Sequence, residues 1–334
     1  MSDTAVVWVA LGTPETPTPS AVRRYLREFL SDRRIVEMNP VAWKFILELF
    51  VLPARSRASA KKYASVWYED GSPLMVNTMK QVSGLQSALD ARGLGTEVVG
   101  AMRYGQPSLS SVLDSLYDKG IRKVLIFPAY PHYSQTTVGS VYDAAARYML
   151  MARDEMELRF IRSFPTDPAY IEALASSIER AWEETDPPDF ASGDKLILSF
   201  HGIPTSMAAA GDPYPKECLA TAEAVRDRLG LTPFECLLSF QSKFGPAPWL
   251  IPATIDTVAE LGRTGIKRVD VVCPAFVADC LETLEEIGIL NRDTYMEACD
   301  YTGVFNRIPC LNDDPAFLEA VADVAATGLA GWVK

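Results

Sequence analysis

A histidine at the end of a predicted strand is the residue best placed to do chemistry in this chain. His201 is one of only two histidines in 334 residues. It ends the apolar run 195–200 and is followed by Gly202, Ile203 and Pro204, which interrupt a strand. In an open parallel sheet, ligands bind at the carboxyl ends of the strands. An imidazole there can accept a proton near neutral pH or bind a transition metal, although a core histidine bonded to backbone is an equal alternative from position alone.

Three acidic residues lie close together near position 280. Asp279, Glu282 and Glu286 follow the apolar run Arg268–Cys273 in a segment that is predicted to be helical. Residues four apart share a helix face, so Glu282 and Glu286 are expected on one side, with Asp279 one turn earlier. Acidic residues in a first turn ordinarily stabilise the helix dipole, and the sequence alone favours that role. If the row faces a cleft instead, its carboxylates can conduct protons or a divalent cation.

Aromatic and polar residues follow three other predicted strands. They are Arg103 with Tyr104, Tyr130, and Trp249. For any one of them, packing on its own core is the simpler explanation, but together they suit a large flat ligand that carries carboxylates. The loop 12–19 has one glycine, no lysine and an acidic residue. It matches neither the dinucleotide fingerprint nor the P-loop, so a nucleotide enzyme is disfavoured.

To bring these residues together, their strands must end at the same edge of a sheet. Strand and helix signals alternate along almost the whole sequence. Strands are predicted at Ala5–Leu11, Glu97–Met102, Lys123–Ala129, Leu158–Ile161, Lys195–Phe200, Glu235–Phe240, Arg268–Cys273 and Arg307–Leu311. Amphipathic segments separate most of them, which indicates βαβ units and parallel sheets. Such units could close one barrel or divide into two open sheets. A polar linker at 183–192, near mid-chain, favours an α/β fold of two Rossmann-like doubly wound domains with a cleft between them.

Composition disfavours several classes of protein. The net charge is −11, which argues against broad nucleic-acid binding because that usually needs a basic face. We predict no secretory signal at the N-terminus, and no apolar run reaches the roughly 18 to 20 residues of a membrane helix. None of the six cysteines has C-x-x-C spacing, so no zinc or cluster site is signalled. The expected location is the reducing cytoplasm.

One segment departs from the alternating pattern. Val41–Leu52 is apolar on nearly every side and is followed by Arg55, Arg57, Lys61 and Lys62. A helix that is apolar all round is usually buried. Flanking cations and a tryptophan also suit a surface that enters a bilayer. Composition alone favours the buried interpretation.

A set of motifs, in order and over nearly the whole chain, resembles those of the ferrochelatase family, most closely its proteobacterial type. The motifs are Ala10–Pro14, Arg24–Asp32, Tyr63 with Gly71–Pro73, Arg103–Gly105, Tyr130–Ser134, Leu198–Pro204, Phe240–Pro246 and Asp279–Glu286. The resemblance implies insertion of ferrous iron into protoporphyrin IX to form heme, in a cleft between two Rossmann-like domains. The first domain is expected at 1–160 with a lip at 35–60, and the helix 314–330 is able to pack back on it. The second is expected at 161–313.

The resemblance also implies roles for particular residues. His201 and Glu282 fall on the family's catalytic histidine and glutamate, and both are expected to contact the metal. Asp279 and Glu286 are expected on the path of protons or metal. The residues expected to line the porphyrin cleft are Leu11, Tyr63, Ser72, Arg103, Tyr104, Tyr130 and Trp249. The segment Val41–Leu52 falls on the family's lip, which turns the preference towards a membrane-facing surface.

No resident cofactor is expected, because protoporphyrin IX and ferrous iron are the substrates. No iron–sulfur cluster is predicted, since Gln135 stands where animal members have a cluster cysteine, and only Cys218 and Cys299 are expected near the surface. Other expected partners are the inner membrane, contacted peripherally through the lip, and an enzyme that delivers the porphyrin. Nucleic acid is not expected.

Two departures from the family pattern keep alternatives open. Ala10 stands where the family usually has Asn, and Leu290 stands where related chains often continue the acidic row. A non-catalytic tetrapyrrole-binding paralogue is therefore one alternative, although His201 and Glu282 are both retained. Others are a chelatase for coproporphyrin or for another metal, and a two-domain solute-binding protein, which the predicted lack of a signal peptide disfavours.

Overall fold

Two four-stranded parallel sheets form the centre of the fold in the computed structural model, which describes residues 3–245 and 247–333. The strands within these residues are β1 Thr4–Gly12, β2 Glu97–Tyr104, β3 Lys123–Pro128, β4 Glu157–Phe160, β5 Lys195–His201, β6 Cys236–Gln241, β7 Arg268–Val272 and β8 Val304–Arg307. One sheet has the order β2-β1-β3-β4 and the other has the order β6-β5-β7-β8. The predicted α/β fold with two open parallel sheets is confirmed, and the single barrel is excluded. The chain reverses its direction of winding between β1 and β3 in one sheet and between β5 and β7 in the other. Doubly wound folds bind ligands at such a point.

The chain divides into two compact units, one of Met1–Ser163 with Leu318–Lys334 and one of Phe164–Phe317. Helices of the first unit are α1 Pro19–Leu30, α2 Pro40–Ile46, a π-helix at Leu47–Val51, α3 Leu52–Val66, α4 Pro73–Ala91, α5 Leu109–Asp118, a π-helix at Gln135–Gly139 and α6 Ser140–Met151. Helices of the second are α7 Pro168–Glu183, a 3-10 turn at Phe190–Ser192, α8 Thr205–Ala209, α9 Tyr214–Leu229, α10 Thr254–Arg263, a π-helix at Glu282–Asn291 and α11 Arg292–Ala298. The last helix, α12 Pro315–Leu329, starts in the second unit and continues in the first.

Several helices begin where a capping side chain precedes a proline. Asn39, Ser72 and Asp167 each accept hydrogen bonds from the first turn of the helix that follows, and each is followed by proline. The side chain satisfies amide groups that have no partner within the helix, and proline has no amide hydrogen to lose there. Short polar-proline pairs therefore set these helix starts.

Each sheet packs its apolar face against its helices. In the first unit, Val7 and Ile126 of the sheet pack with Leu113 of α5 and Val141 of α6. In the second, Ile197, Val269 and Val271 pack with residues of α10, α11 and the last π-helix. Burying one such side chain contributes about 1.5–3 kcal/mol. These contacts hold the strand ends in place.

The eighth strand was predicted too late in the sequence. The strand is Val304–Arg307 rather than Arg307–Leu311, because the parallel ladder with β7 pairs Arg268–Val271 with those four residues. Ile308, Cys310 and Leu311 are buried although they lie outside the strand. Their apolar character therefore reflects burial rather than sheet pairing.

Candidate functional site

His201 ends β5, with its ring held by the following residue. Its Nδ1 lies 2.6 Å from the carbonyl oxygen of Gly202. A carbonyl can only accept a hydrogen bond, so Nδ1 carries the hydrogen and Nε2 of the neutral ring keeps its lone pair. The backbone thus selects the tautomer whose Nε2 can accept a proton or bind a metal.

Two aromatic rings lie beside this histidine. The rings of Trp249 and Phe276 have their centres 6.4 Å and 6.2 Å from that of His201. A Cβ on Gly202 would lie 2.9 Å from the Gln241 carbonyl oxygen and 3.1 Å from the Trp249 ring, so only glycine fits there. The buried Nε1 of Trp249 has no hydrogen-bond acceptor within the described residues. Sequence reasoning missed Phe276, although its place just after β7 is a strand-end signal.

The acidic segment is helical, as predicted, but in π-helical form. Glu282–Asn291 spans ten residues, whereas π-helical geometry mostly occurs as single turns, often at functional sites. Asp279, which precedes it, is only 3% exposed. One Asp279 oxygen accepts hydrogen bonds from Arg307 and Thr283, both at 2.8 Å, and the other accepts one from Asn312 at 2.9 Å. Asp279 therefore anchors the start of this helix within a buried network.

Glu286 is held by the end of β6. Its two carboxylate oxygens accept hydrogen bonds from the backbone N–H of Ser242 at 2.6 Å and from the Ser242 hydroxyl at 2.5 Å. Burial raises the pKa of Glu286 above its ordinary value. The hydrogen bonds from Ser242, and the charge that His201 carries when protonated, lower this pKa in part, and the charge of Glu282 raises it further. His201 and Glu282 are therefore both near enough to influence the Glu286 carboxyl.

In the first unit, two predicted porphyrin residues belong to a buried polar network. Arg103 forms an ion pair with Asp32 and donates from Nε to the Ser140 hydroxyl at 2.6 Å. The hydroxyl of Tyr104, a residue only 1% exposed, donates to Asp32 at 2.9 Å. Sequence reasoning missed Ser140, which gave no motif signal. The network joins the end of β2 to α6 and to the loop after α1.

Asp32 is the centre of this network. Burial on its own raises the pKa of the Asp32 carboxyl. Hydrogen bonds from Ser140, from the Arg34 backbone and from Tyr104, with the charge of Arg103, outweigh burial and hold the pKa below its ordinary value. Asp32 is therefore a buried carboxylate that its partners keep charged.

The remaining candidates of the first unit lie at element ends. Leu11 is half-buried near the end of β1, and Tyr130 is half-buried just after β3. Between β1 and β2 a Cβ on Gly12 would lie 1.8 Å from the Tyr104 carbonyl oxygen, so this strand must end in glycine. Ser72 is 3% exposed and caps α4, and Tyr63 is 8% exposed in α3. Their assignment to porphyrin stays a prediction.

The segment Val41–Leu52 has one buried and one exposed side. Leu47 and Leu52 are buried in a cluster with Leu30 of α1. The opposite side exposes apolar residues, which we call the apolar patch: Met38 48%, Val41 66%, Phe45 64%, Leu49 64% and Phe50 68%. The buried interpretation from composition is therefore wrong for this side of the segment. No helix in the described part of the chain is both long and apolar enough to cross a membrane.

All six cysteines are buried and free. The expectation that Cys218 and Cys299 lie near the surface is wrong, because Cys218 packs on the inner side of α9 and Cys299 follows α11 against the second core. Gln135 donates to Glu37 at 2.7 Å. Within residues 3–245 and 247–333, no group of three or more His, Cys, Asp or Glu side chains could hold a metal ion.

A family model for ferrochelatase matches residues 3–329, nearly the whole chain. The chain belongs to the ferrochelatase family. The family supports tetrapyrrole metal chelation as the activity, with a tetrapyrrole and a metal ion as substrates, and a role in porphyrin and heme biosynthesis. The proteobacterial subtype stays a prediction.

Solved chelatase structures share the fold of this ferrochelatase-family chain. SirB from Bacillus subtilis with Fe3+ matches with a TM-score of 0.55 and 10% identity, over 98% of this chain and 96% of that one. The sirohydrochlorin chelatase SirB from Bacillus subtilis subspecies spizizenii, in complex with cobalt, matches with 0.55 and 9%, over 99% and 97%. DR2241 from Deinococcus radiodurans, a multi-domain protein with structural similarity to chelatases, matches with 0.52 and 16%, over 77% and 52%. At these identities the likeness shows the fold alone.

Proposed function

We propose that this protein inserts ferrous iron into protoporphyrin IX to form heme. The observation that carries the proposal is His201, which lies at the carboxyl end of β5 with its tautomer set by Gly202 and is linked through Gly202 and Gln241 to the helix that carries Glu282. Family membership supplies the class of reaction. To this class of reaction, the proposal adds ferrous iron as the metal and protoporphyrin IX as the tetrapyrrole.

The chemistry asks for two tasks that these residues can perform. Metallation removes two protons from the pyrrole nitrogens, and Nε2 of His201 can accept them one at a time. Each proton must then leave His201, and the carboxylate of Glu282 is the acceptor we propose. The same carboxylate can replace water around the incoming ion, since oxygen ligands displace its hydration shell.

We propose different roles for the three carboxylates of the row. Both oxygens of Asp279 are engaged by Arg307, Thr283 and Asn312, which supports an anchoring role rather than transport. Both oxygens of Glu286 are engaged by Ser242, whereas the Glu282 side chain meets the Cys280 thiol, which is a weak hydrogen-bond donor. Glu282 is therefore the stronger candidate for exchanging protons or metal. The acidic row ends at Glu286. Leu290, at the position where related chains often continue the row, is an exposed aliphatic residue.

We further propose that the apolar patch contacts a membrane surface peripherally. Four of its residues are about two-thirds exposed, and the cations Arg55, Arg57, Lys61 and Lys62 follow it in exposed positions of α3. Apolar side chains beside cations are the pattern of a surface that binds anionic lipid without spanning the bilayer. A hydrophobic substrate such as protoporphyrin IX would be available at such a surface.

Metal insertion can be measured directly. The protein is incubated without oxygen with ferrous iron and either protoporphyrin IX or coproporphyrin III, and the absorbance change from free porphyrin to metalloporphyrin is followed. We expect insertion into protoporphyrin IX, and loss of turnover by roughly a hundredfold or more in His201→Ala while porphyrin still binds. Insertion only into coproporphyrin III, or only of another metal such as cobalt, would reassign the substrate. Porphyrin binding without insertion of any metal would indicate a carrier.

A further inference from the structure

Two consecutive residues at the end of β6 hold both catalytic candidates of the second unit. The backbone carbonyl of Gln241 accepts a hydrogen bond from the Gly202 N–H at 2.8 Å, and Gly202 in turn accepts from His201. The side-chain Nε2 of Gln241 donates to the backbone carbonyl of Glu282 at 2.9 Å. One residue therefore connects the strand end that carries His201 with the helix that carries Glu282.

The amide of Gln241 has only one orientation that satisfies its neighbours. Its Oε1 accepts hydrogen bonds from the Ser199 hydroxyl at 2.9 Å and from the Cys273 thiol at 3.4 Å. Ser199 is in turn within 2.8 Å of the Thr254 hydroxyl. Because these groups occupy the oxygen, the NH2 group must point to Glu282. Gln241 is 3% exposed, so water does not compete for these bonds.

Ser242 adopts a backbone conformation that a residue with a side chain rarely takes. Its φ is +67°, in the left-handed region. A non-glycine residue there is strained and persists only when its surroundings determine it. Here the conformation lets the N–H and the hydroxyl of one residue reach the two oxygens of Glu286 together. The strain is therefore connected with a specific contact to the π-helix.

We propose that Gln241 and Ser242 are positioning residues that fix Glu282 relative to His201. Gln241 does so through its hydrogen bond to the Glu282 carbonyl, and Ser242 does so through its hydrogen bonds to the Glu286 carboxylate. We call this pair of contacts the β6 clamp. The proposal rests on the proposed function for its catalytic consequence. It assigns Glu286 to holding the wide π-helical turn in register, in place of the transport role expected from the acidic row. The geometry of the clamp itself does not depend on which metal or porphyrin is used.

A matched set of variants separates these two roles of Glu286. Ser242→Ala and Ser242→Gly both remove the hydroxyl, but glycine adopts a φ of +67° without strain. Glu286→Gln removes the charge but keeps two partners for Ser242, because its oxygen can accept from the N–H and its NH2 can donate to the hydroxyl. Gln241→Glu keeps the size of the side chain and removes the donor to Glu282.

The clamp predicts a particular division between kcat and KM. Ser242→Ala, Ser242→Gly and Gln241→Glu are expected to lower kcat for metal insertion by roughly ten- to a hundredfold, as for a misplaced catalytic group. The KM for porphyrin should stay within about twofold, since neither Gln241 nor Ser242 is a proposed porphyrin contact. The decrease in kcat should be smaller in Glu286→Gln than in Ser242→Ala. A larger loss in Glu286→Gln would show that its charge takes part in transport, and unchanged kcat in Ser242→Gly would overturn the clamp.

A second measurement tests the clamp without any activity. Amide hydrogen exchange of residues 282–291 is compared in the full-length protein and its variants. We expect faster exchange there in Ser242→Ala and Ser242→Gly and little change in Glu286→Gln, with the thermal midpoint of Ser242→Gly near that of the unchanged protein. If metal insertion is absent from the unchanged protein, the proposed function fails while exchange still decides the clamp. Equal exchange in all four proteins would refute it.

Discussion

Replacing both Phe45 and Leu49 by aspartate is expected to abolish membrane binding while leaving the fold intact. Each side chain is 64% exposed, so it contributes little to the core. Exposed substitutions away from special contacts usually change the free energy of unfolding by less than about 0.5 kcal/mol. The buried side of the same segment, Leu47 and Leu52, is left untouched.

The size of the binding effect follows from the exposed surface. Complete burial of a leucine or phenylalanine side chain contributes about 1.5–3 kcal/mol. With about two-thirds of each surface still exposed, insertion into lipid would gain about 1–2 kcal/mol per residue, or about 2–4 kcal/mol for the pair. Losing this corresponds to a decrease of about 30- to 1,000-fold in the partition coefficient. Two added negative charges near anionic lipid increase the loss.

Flotation with vesicles of phosphatidylcholine and phosphatidylglycerol measures this partitioning. The matched control is Leu150→Asp with Met151→Asp, because these residues are 83% and 86% exposed at the end of α6, outside the apolar patch. Only the patch variant should lose flotation, and added salt should weaken binding of the unchanged protein because cations contribute. Unchanged flotation of the patch variant, or an equal loss in the control, would refute the proposed membrane surface.

Three other predictions concern the two units. Glu282→Gln is expected to lower turnover by roughly a hundredfold or more, and Glu285→Gln, on the same helix, serves as the control in the absorbance assay. Asp32→Asn is expected to cost about 3 kcal/mol at neutral pH by leaving Arg103 without its buried partner. Since the folded-state pKa of Asp32 is lowered, its contribution is complete above the unfolded value of about 3.9 and is lost as pH falls through the folded pKa, so urea unfolding of the two proteins should converge in acid. Protein purified without oxygen should lack the absorbance and acid-labile sulfide of an iron–sulfur cluster.

The sheets could be predicted because their signal is local. Seven predicted strand positions were close to correct, because a short apolar run between two amphipathic helices usually forms a buried strand. The eighth failed because Ile308, Cys310 and Leu311 are as apolar as strand residues but are buried outside the ladder. Which of two adjoining apolar stretches pairs with β7 depends on the neighbouring strand. The local apolar pattern does not contain that information.

The site divides in the same way. His201 could be located from its place between an apolar run and a Gly-Ile-Pro break, but its tautomer depends on the Gly202 carbonyl, which folding brings to Nδ1. The π-helix could not be predicted, because the four-residue spacing of Glu282 and Glu286 in the sequence is equally compatible with an α-helix. Its hydrogen-bond register is set together with contacts from elsewhere, such as that of Gln241 with the Glu282 carbonyl at 2.9 Å and that of the Ser242 N–H with the Glu286 carboxylate at 2.6 Å.

The acidic row shows why residue type and spacing are insufficient to assign a path. Asp279, Glu282 and Glu286 have similar side chains and lie within eight positions of one another. What separates them is the partner that each meets: the Arg307 guanidinium for Asp279, the Ser242 N–H and hydroxyl for Glu286, and the weakly donating Cys280 thiol for Glu282. A carboxylate that exchanges protons or metal must be able to change partners, and the two held carboxylates would have to break structural contacts to do so. The same physical argument therefore supports our proposal that Glu282 is the reactive group and that the other two hold it in place.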